Sequence, residues 1–138
     1  MLAELKTLHA AMKEAVAVLR VELARSDPDA AALSAARLAL SRVSGRRRAF
    51  VDCTILPLLH DVTAADARRI ADFRRAASAA AISSSEHIAR WPMRHILADW
   101  PGFKASAQAG MLALERRLAD EETLFYPLLA GRQASSGT

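Results

Sequence analysis

The residues of this chain with chemistry to offer are its four histidines, its single cysteine, and a set of acids and arginines that fall on helical stripes. His9 belongs to an amphipathic run in which Leu5, His9, Met12, Val16, Leu19 and Leu23 recur at spacings of three and four. Arg47 shares a stripe with Leu33, Leu40, Val43, Val51, Thr54 and Leu58. Arg117 and Glu121 share another with Ala107, Met111, Leu114, Leu124 and Leu128. One helical turn apart, Arg117 and Glu121 are placed to pair. An arginine on an inward stripe is tolerated only where carboxylates and hydrogen bonds meet its guanidinium. The residues therefore point to a polar cluster of His9, Arg47, Arg117 and Glu121, joined by Asp52 or Glu122. The alternative is that both arginines reach solvent along their aliphatic stems.

The remaining reactive side chains carry weaker patterns. His60, beside Asp61 at a helix end, is expected to cap carbonyls or face solvent, and His95 to be exposed after Pro92. His87 lies on an apolar stripe and is expected at the interior or its rim. No two histidines stand at i and i+4, so a helical zinc pair is absent. Cys53 falls in an apolar stretch and reads as an inert buried thiol. Nothing around Ser83-Ser84-Ser85 marks a nucleophile, and there is no glycine-rich phosphate loop. Trp91 and Trp100 each precede a proline. With Phe103 they either plug one end of the fold or form a partner surface, of which a homodimer is the simplest version.

The elements that must position these residues are helices. Of 138 residues 31 are Ala and 18 are Leu, with only five Gly and five Pro, which excludes an all-β fold. Hydrophobic content of 52% excludes disorder. No apolar run approaches the roughly 18 residues that span a bilayer. A first helix is expected from about Leu2 to Arg25, and a second opening at Asp27-Pro28, with Pro57 near its end. A third opens at Thr63 and carries Ile70, Phe73, Ala77, Ala80, Ser84, His87 and Trp91 inward. Pro92 ends it, leaving Met93 to Trp100 as a short turn or helical piece. The fourth starts at Asp99-Trp100-Pro101, with Gly131 as its C-cap. The expected fold is all-α, an up-down-up-down four-helix bundle over 1–131, with a flexible tail over 132–138.

Two segments align without a gap: residues 47–59, ending Pro57-Leu58-Leu59, and residues 117–129, ending Pro127-Leu128-Leu129. Asp52 falls opposite Glu122. This implies two helical hairpins related by an approximate two-fold axis, with the second and fourth helices equivalent.

The stretch Glu121-Glu122-Thr123-Leu124-Phe125-Tyr126-Pro127-Leu128-Leu129 resembles the last helix of the haemerythrin-like (HHE cation-binding) family, where a histidine precedes an acidic pair and a Leu-Phe-Pro-like ending. Leu5-Lys6-Thr7-Leu8-His9 looks like that family's first helix and its histidine ligand. The resemblance implies a four-helix bundle built around a carboxylate-bridged di-iron centre. Carried over position by position, it keeps His9, Glu121 and Glu122, the ligands of any metal retained. It places Arg47 and Arg117 at histidine positions, Val51 or Asp52 at a carboxylate position, and Ala77 near the third-helix histidine. Arginine has no lone pair to give a metal. The resemblance thus implies a degenerate member without a metal cofactor, in which arginines neutralise acids that iron neutralises elsewhere.

Three functions compete at this level. The first is a non-catalytic bundle acting as a binding, scaffold or regulatory module with a protein partner. The second is an iron or oxygen sensor with a reduced ligand set, and the third a histidine phosphotransfer bundle. The last needs a solvent-facing histidine, whereas His9 lies on a core stripe. With a net charge of +4, nucleic acid is considered, but no aromatics interleave with Arg46-Arg47-Arg48 to stack bases. An acid near the start, no cleavage site and one cysteine favour the cytosol.

Overall fold

The computed structural model describes residues 1–136, and every element among them is helical: α1 (Leu2–Leu23), α2 (Ala30–Phe50), α3 (Ala64–Arg90), α4 (Met93–Ala98) and α5 (Trp100–Ser136). Polar caps set three of the starts. The Asp29 side chain accepts from the Ala32 N–H, so α2 begins there and not at Asp27-Pro28. Thr63 accepts from the Asp66 N–H and opens α3 as the sequence leads one to expect. Asp99 accepts from the Gly102 N–H at the start of α5. Pro92 separates α3 from the single turn and a half of α4.

The two prolines of the aligned segments act differently. Before Pro57, α2 widens into a π-helical turn over Val51–Ile55, whose last bond runs from the Leu56 N–H to the Val51 carbonyl, and then tightens into a 3-10 turn over Leu56–Leu58. Pro57 has no N–H for the carbonyl one turn back, so the helix rearranges just ahead of it. Pro127, by contrast, is carried inside α5, which continues past Gly131 to Ser136. Gly131 is therefore no C-cap, and the first residues of the expected tail are helical. Residues 137–138 of that tail lie outside the described residues. The second and last long helices are not equivalent in their endings.

Cross-helix bonds show how the long helices run. Trp100 Nε1 donates to the Arg25 carbonyl, Arg20 pairs with Glu115, and Lys13 pairs with Glu122 at 2.8 Å, so α1 and α5 are antiparallel. His87 against Ser106, and Phe73 edge-on to Phe125 with centroids 4.9 Å apart, make α3 and α5 antiparallel as well. The short link over residues 24–29 folds α2 back along α1.

Apolar side chains fill three levels. At one end Leu19, Leu23, Leu33, Trp91, Ile96, Trp100 and Phe103 pack together. At the other, Leu5, Val51, Ile55, Ile70, Phe125 and Leu129 do so. Between them Met12, Val43 and Leu118 close the middle with Ala11, Leu40 and Leu114. All six of these come from α1, α2 and α5. The 27-residue α3 buries fully only Ile70; Phe73, Ala77, Ala80 and His87 of its expected inner stripe are half-buried, and Ser84 is exposed. Its small side chains leave little apolar area to bury, so α3 is held at its ends more than at its centre. Among the described residues no helix is long and apolar enough to cross a membrane.

Candidate functional site

Three buried ionisable side chains meet at the level where α1, α2 and α5 come together. Helical spacing delivers each one. His9 lies one turn from Leu5 and Met12, Arg47 one turn from Val43 and Val51, and Glu121 between Leu118 and Leu124, so all three point where their apolar neighbours point. Their exposures are 1% for His9, 4% for Arg47 and 1% for Glu121. Arg47 Nη1 donates to Glu121 Oε2 at 2.7 Å, and His9 Nε2 approaches Glu121 Oε1 at 3.3 Å. The opposite ring nitrogen, His9 Nδ1, lies 2.6 Å from the Tyr126 hydroxyl, with the two rings stacked. The result is a linear chain of contacts, Tyr126–His9–Glu121–Arg47, running inward from a half-buried phenol.

The electrostatics follow from this placement. Burial lowers the Arg47 guanidinium from its usual value, as do the nearby Arg117 and Arg48, while Glu121 opposes them. Arg47 Nε is buried and makes no hydrogen bond among the described residues, so the guanidinium is anchored through Nη1. Burial, together with Glu122 and Glu121, raises the Tyr126 phenol.

Not every residue expected in the cluster is in it. Arg117 is half-buried and donates to the Ala76 carbonyl of α3 at 3.0 Å, bridging α5 to α3 and leaving the Glu121 bond to Arg47. Its guanidinium is lowered by burial, with Glu121 opposing. Glu122 lies at the edge, bonded to Lys13, with its nearest carboxylate oxygen 4.0 Å from His9 Nδ1. Asp52 is exposed, because it lies off the stripe on which Arg47, Val51 and Ile55 are buried. Cys53, beside it, is exposed too and is not the buried thiol its apolar neighbours suggest.

No family model matches this chain, and searches of curated proteins and of solved structures also return no match.

The side chains of the cluster do not fit a di-iron centre. In the buried cluster only His9 and Glu121 are of ligand type, and both Glu121 oxygens are engaged, one by a guanidinium. Among the described residues no group of three or more His, Cys, Asp or Glu side chains is placed to hold a metal ion. His9, at 1% exposure, is also too buried to meet a phosphoryl donor.

At the far end Trp91, Trp100 and Phe103 are 7%, 8% and 1% exposed, so they plug that end and offer little surface to a partner. Phe103 packs against both indoles and carries the Arg37 guanidinium over its face. His60 is exposed and 3.4 Å from the Pro57 carbonyl, and His95, also exposed, lies 3.2 Å from the Arg90 carbonyl. His87 stacks on Phe103 and meets Ser106 Oγ at 3.0 Å. Burial lowers its basicity, and Arg37 and Arg90 lower it further. A histidine depressed when folded binds fewer protons than when unfolded, so its contribution to stability is present above the ordinary value of about 6.5 and fades as pH falls below it. Denaturant melts should therefore show the native protein losing more stability from pH 7 to pH 5 than His87→Gln. Equal losses would place His87 in solvent.

Two residues escaped the sequence reading. Glu22 is 7% exposed and bonded to Arg25 at 2.8 Å; its position between Leu19 and Leu23 was the available signal. Tyr126 carries no stripe signal of its own beyond standing one turn from Glu122.

Proposed function

We propose that this chain is a haemerythrin-like up-down-up-down bundle of α1, α2, α3 and α5 whose metal centre has been replaced by a protein ion pair, and that it works as a binding or regulatory module without turnover. The observation that carries this reading is the 2.7 Å bond between Arg47 and Glu121. Arg47 falls on a ligand position of the family pattern and Glu121 on a retained acid, so the guanidinium supplies at that depth the positive charge that a metal supplies in relatives. A guanidinium is permanently charged and donates directionally, so it neutralises the carboxylate while locking α2 to α5. His9 then serves as a second donor to the same carboxylate, tying in α1.

Elemental analysis tests the reading. Protein purified without chelators should carry less than about one tenth of an iron per chain, and added iron, zinc or cobalt should leave its melting temperature unchanged, because two donors hold a divalent ion weakly. Stoichiometric iron with a charge-transfer band would overturn it in favour of a sensor with a reduced ligand set.

A further inference from the structure

The chain contains one tyrosine, and its hydroxyl is 2.6 Å from a buried imidazole. The proton positions on that imidazole follow from its neighbours. The Glu121 carboxylate accepts from Arg47 on one oxygen, and its other oxygen, also an acceptor, faces His9 Nε2, so Nε2 carries the hydrogen. In the neutral ring Nδ1 then presents its lone pair, and the phenol donates to it. We propose that Tyr126 is a redox-active tyrosine, giving one electron to an outer-sphere one-electron oxidant while its phenolic proton passes to His9 Nδ1.

The balance closes within the cluster. The oxidant gains the electron, the phenol O–H bond breaks, an N–H bond forms on His9, and the products are a neutral phenoxyl radical and an imidazolium. That imidazolium is placed between Glu121 at 3.3 Å from Nε2 and Glu122 at 4.0 Å from Nδ1, so the new charge appears where two carboxylates face it. Without the proton shift the hole would stay on the ring as a cation beneath the Lys6 ammonium, 5.5 Å from the ring centroid. Burial and the two acids hold the resting phenol protonated, so the proton is in place to move when the electron leaves. The phenol is half-buried, within reach of an oxidant at the surface. The two indoles lack this arrangement: Trp100 Nε1 donates to the Arg25 carbonyl, which cannot keep a proton, and Trp91 Nε1 has no hydrogen-bond partner among the described residues. The inference rests on the contacts of Tyr126, His9, Glu121 and Arg47 with their neighbours and on no ligand position of the family pattern, so it stands or falls separately from the haemerythrin-like reading.

The test is stopped-flow oxidation by hexachloroiridate(IV) in a Cys53→Ser background, which removes the exposed thiol as a competing donor. Freeze-quench electron paramagnetic resonance identifies the radical. The expected result is a tyrosyl signal, absent in Tyr126→Phe, forming about a hundredfold faster than the radical of N-acetyl-tyrosinamide, the lower range of what a positioned base contributes. Its rate should not change with the concentration of buffer base, because the acceptor is internal. His9→Phe should remove the rate advantage and make oxidation climb with buffer base. Indolyl radicals in place of the tyrosyl signal, a native rate that climbs with buffer base, or a folded His9→Phe as fast as the native protein would each overturn the proposal. Should His9→Phe fail to fold, the buffer dependence of the native protein decides alone.

Discussion

Arg47→Ala is expected to cost about 3–5 kcal/mol of folding stability, a large share of the roughly 5–15 kcal/mol that holds an ordinary domain folded. The cost comes from Glu121 more than from Arg47 itself. With the guanidinium gone, a carboxylate 1% exposed keeps only the 3.3 Å contact with His9, and a buried charge without compensation must be desolvated for nothing. Pairing Arg47→Met with Glu121→Gln removes both charges and leaves the amide to accept from His9. That double variant should cost at most about half of the single one. Arg117→Ala should cost only about 1 kcal/mol, the worth of one hydrogen bond to the Ala76 carbonyl. Urea unfolding of the four proteins checks the order. A loss below about 0.5 kcal/mol for Arg47→Ala would mean that its pair with Glu121 is solvated, as surface pairs are.

The second large effect is a gain. Arg47→His and Arg117→His place imidazoles on α2 and α5, Ala77→His adds one on α3, and Val51→Glu adds a carboxylate one turn from residue 47. His9 and Glu121 are already in place. The quadruple variant is expected to bind divalent metal that the parent ignores, and saturation at about a hundred times the dissociation constant should add about 2.7 kcal/mol to its stability. Cobalt(II) spectra and thermal melts with and without metal provide the measurement. Arg47→His with Arg117→His alone disturbs the core less and should show weaker binding of the same sign. If both variants fold and neither responds to iron, zinc or cobalt, these positions do not converge at one depth and the haemerythrin-like reading fails.

Much of this was legible in the residues, for reasons that differ by position. Thr63, Pro92 and Asp99 act within one turn of themselves, so their effects on helix boundaries can be read locally. The burial of His9, Arg47 and Glu121 was legible because each interrupts an apolar stripe. The partner of Glu121 was not. Spacing along one helix nominates Arg117, whereas the bond is made from another helix, by Arg47, which is 74 residues away in the chain. Periodicity says which way a side chain points and cannot say what it meets. The shift of burial from Thr54 and Leu58 to Ile55 and Leu59 was illegible for a different reason, since a π turn adds a residue to one helical turn and breaks the period on which the stripe depends. Pro57 hinted at such a break, but the identical Pro-Leu-Leu ending at Pro127 leaves α5 unbroken.

The thin contact of α3 with the middle of the molecule bears on which substitutions the chain can absorb. Between Phe73 and His87 that helix contributes no fully buried side chain, and its one cross-helix hydrogen bond there is accepted by a backbone carbonyl, which every residue type supplies. Selection acting through stability therefore has little to hold onto across this stretch beyond helix propensity. The same freedom explains how Ile82, 61% exposed, and the run Ser83-Ser84-Ser85 persist side by side. Drift should collect in this span of α3 while α1, α2 and α5 stay constrained by the acid they enclose.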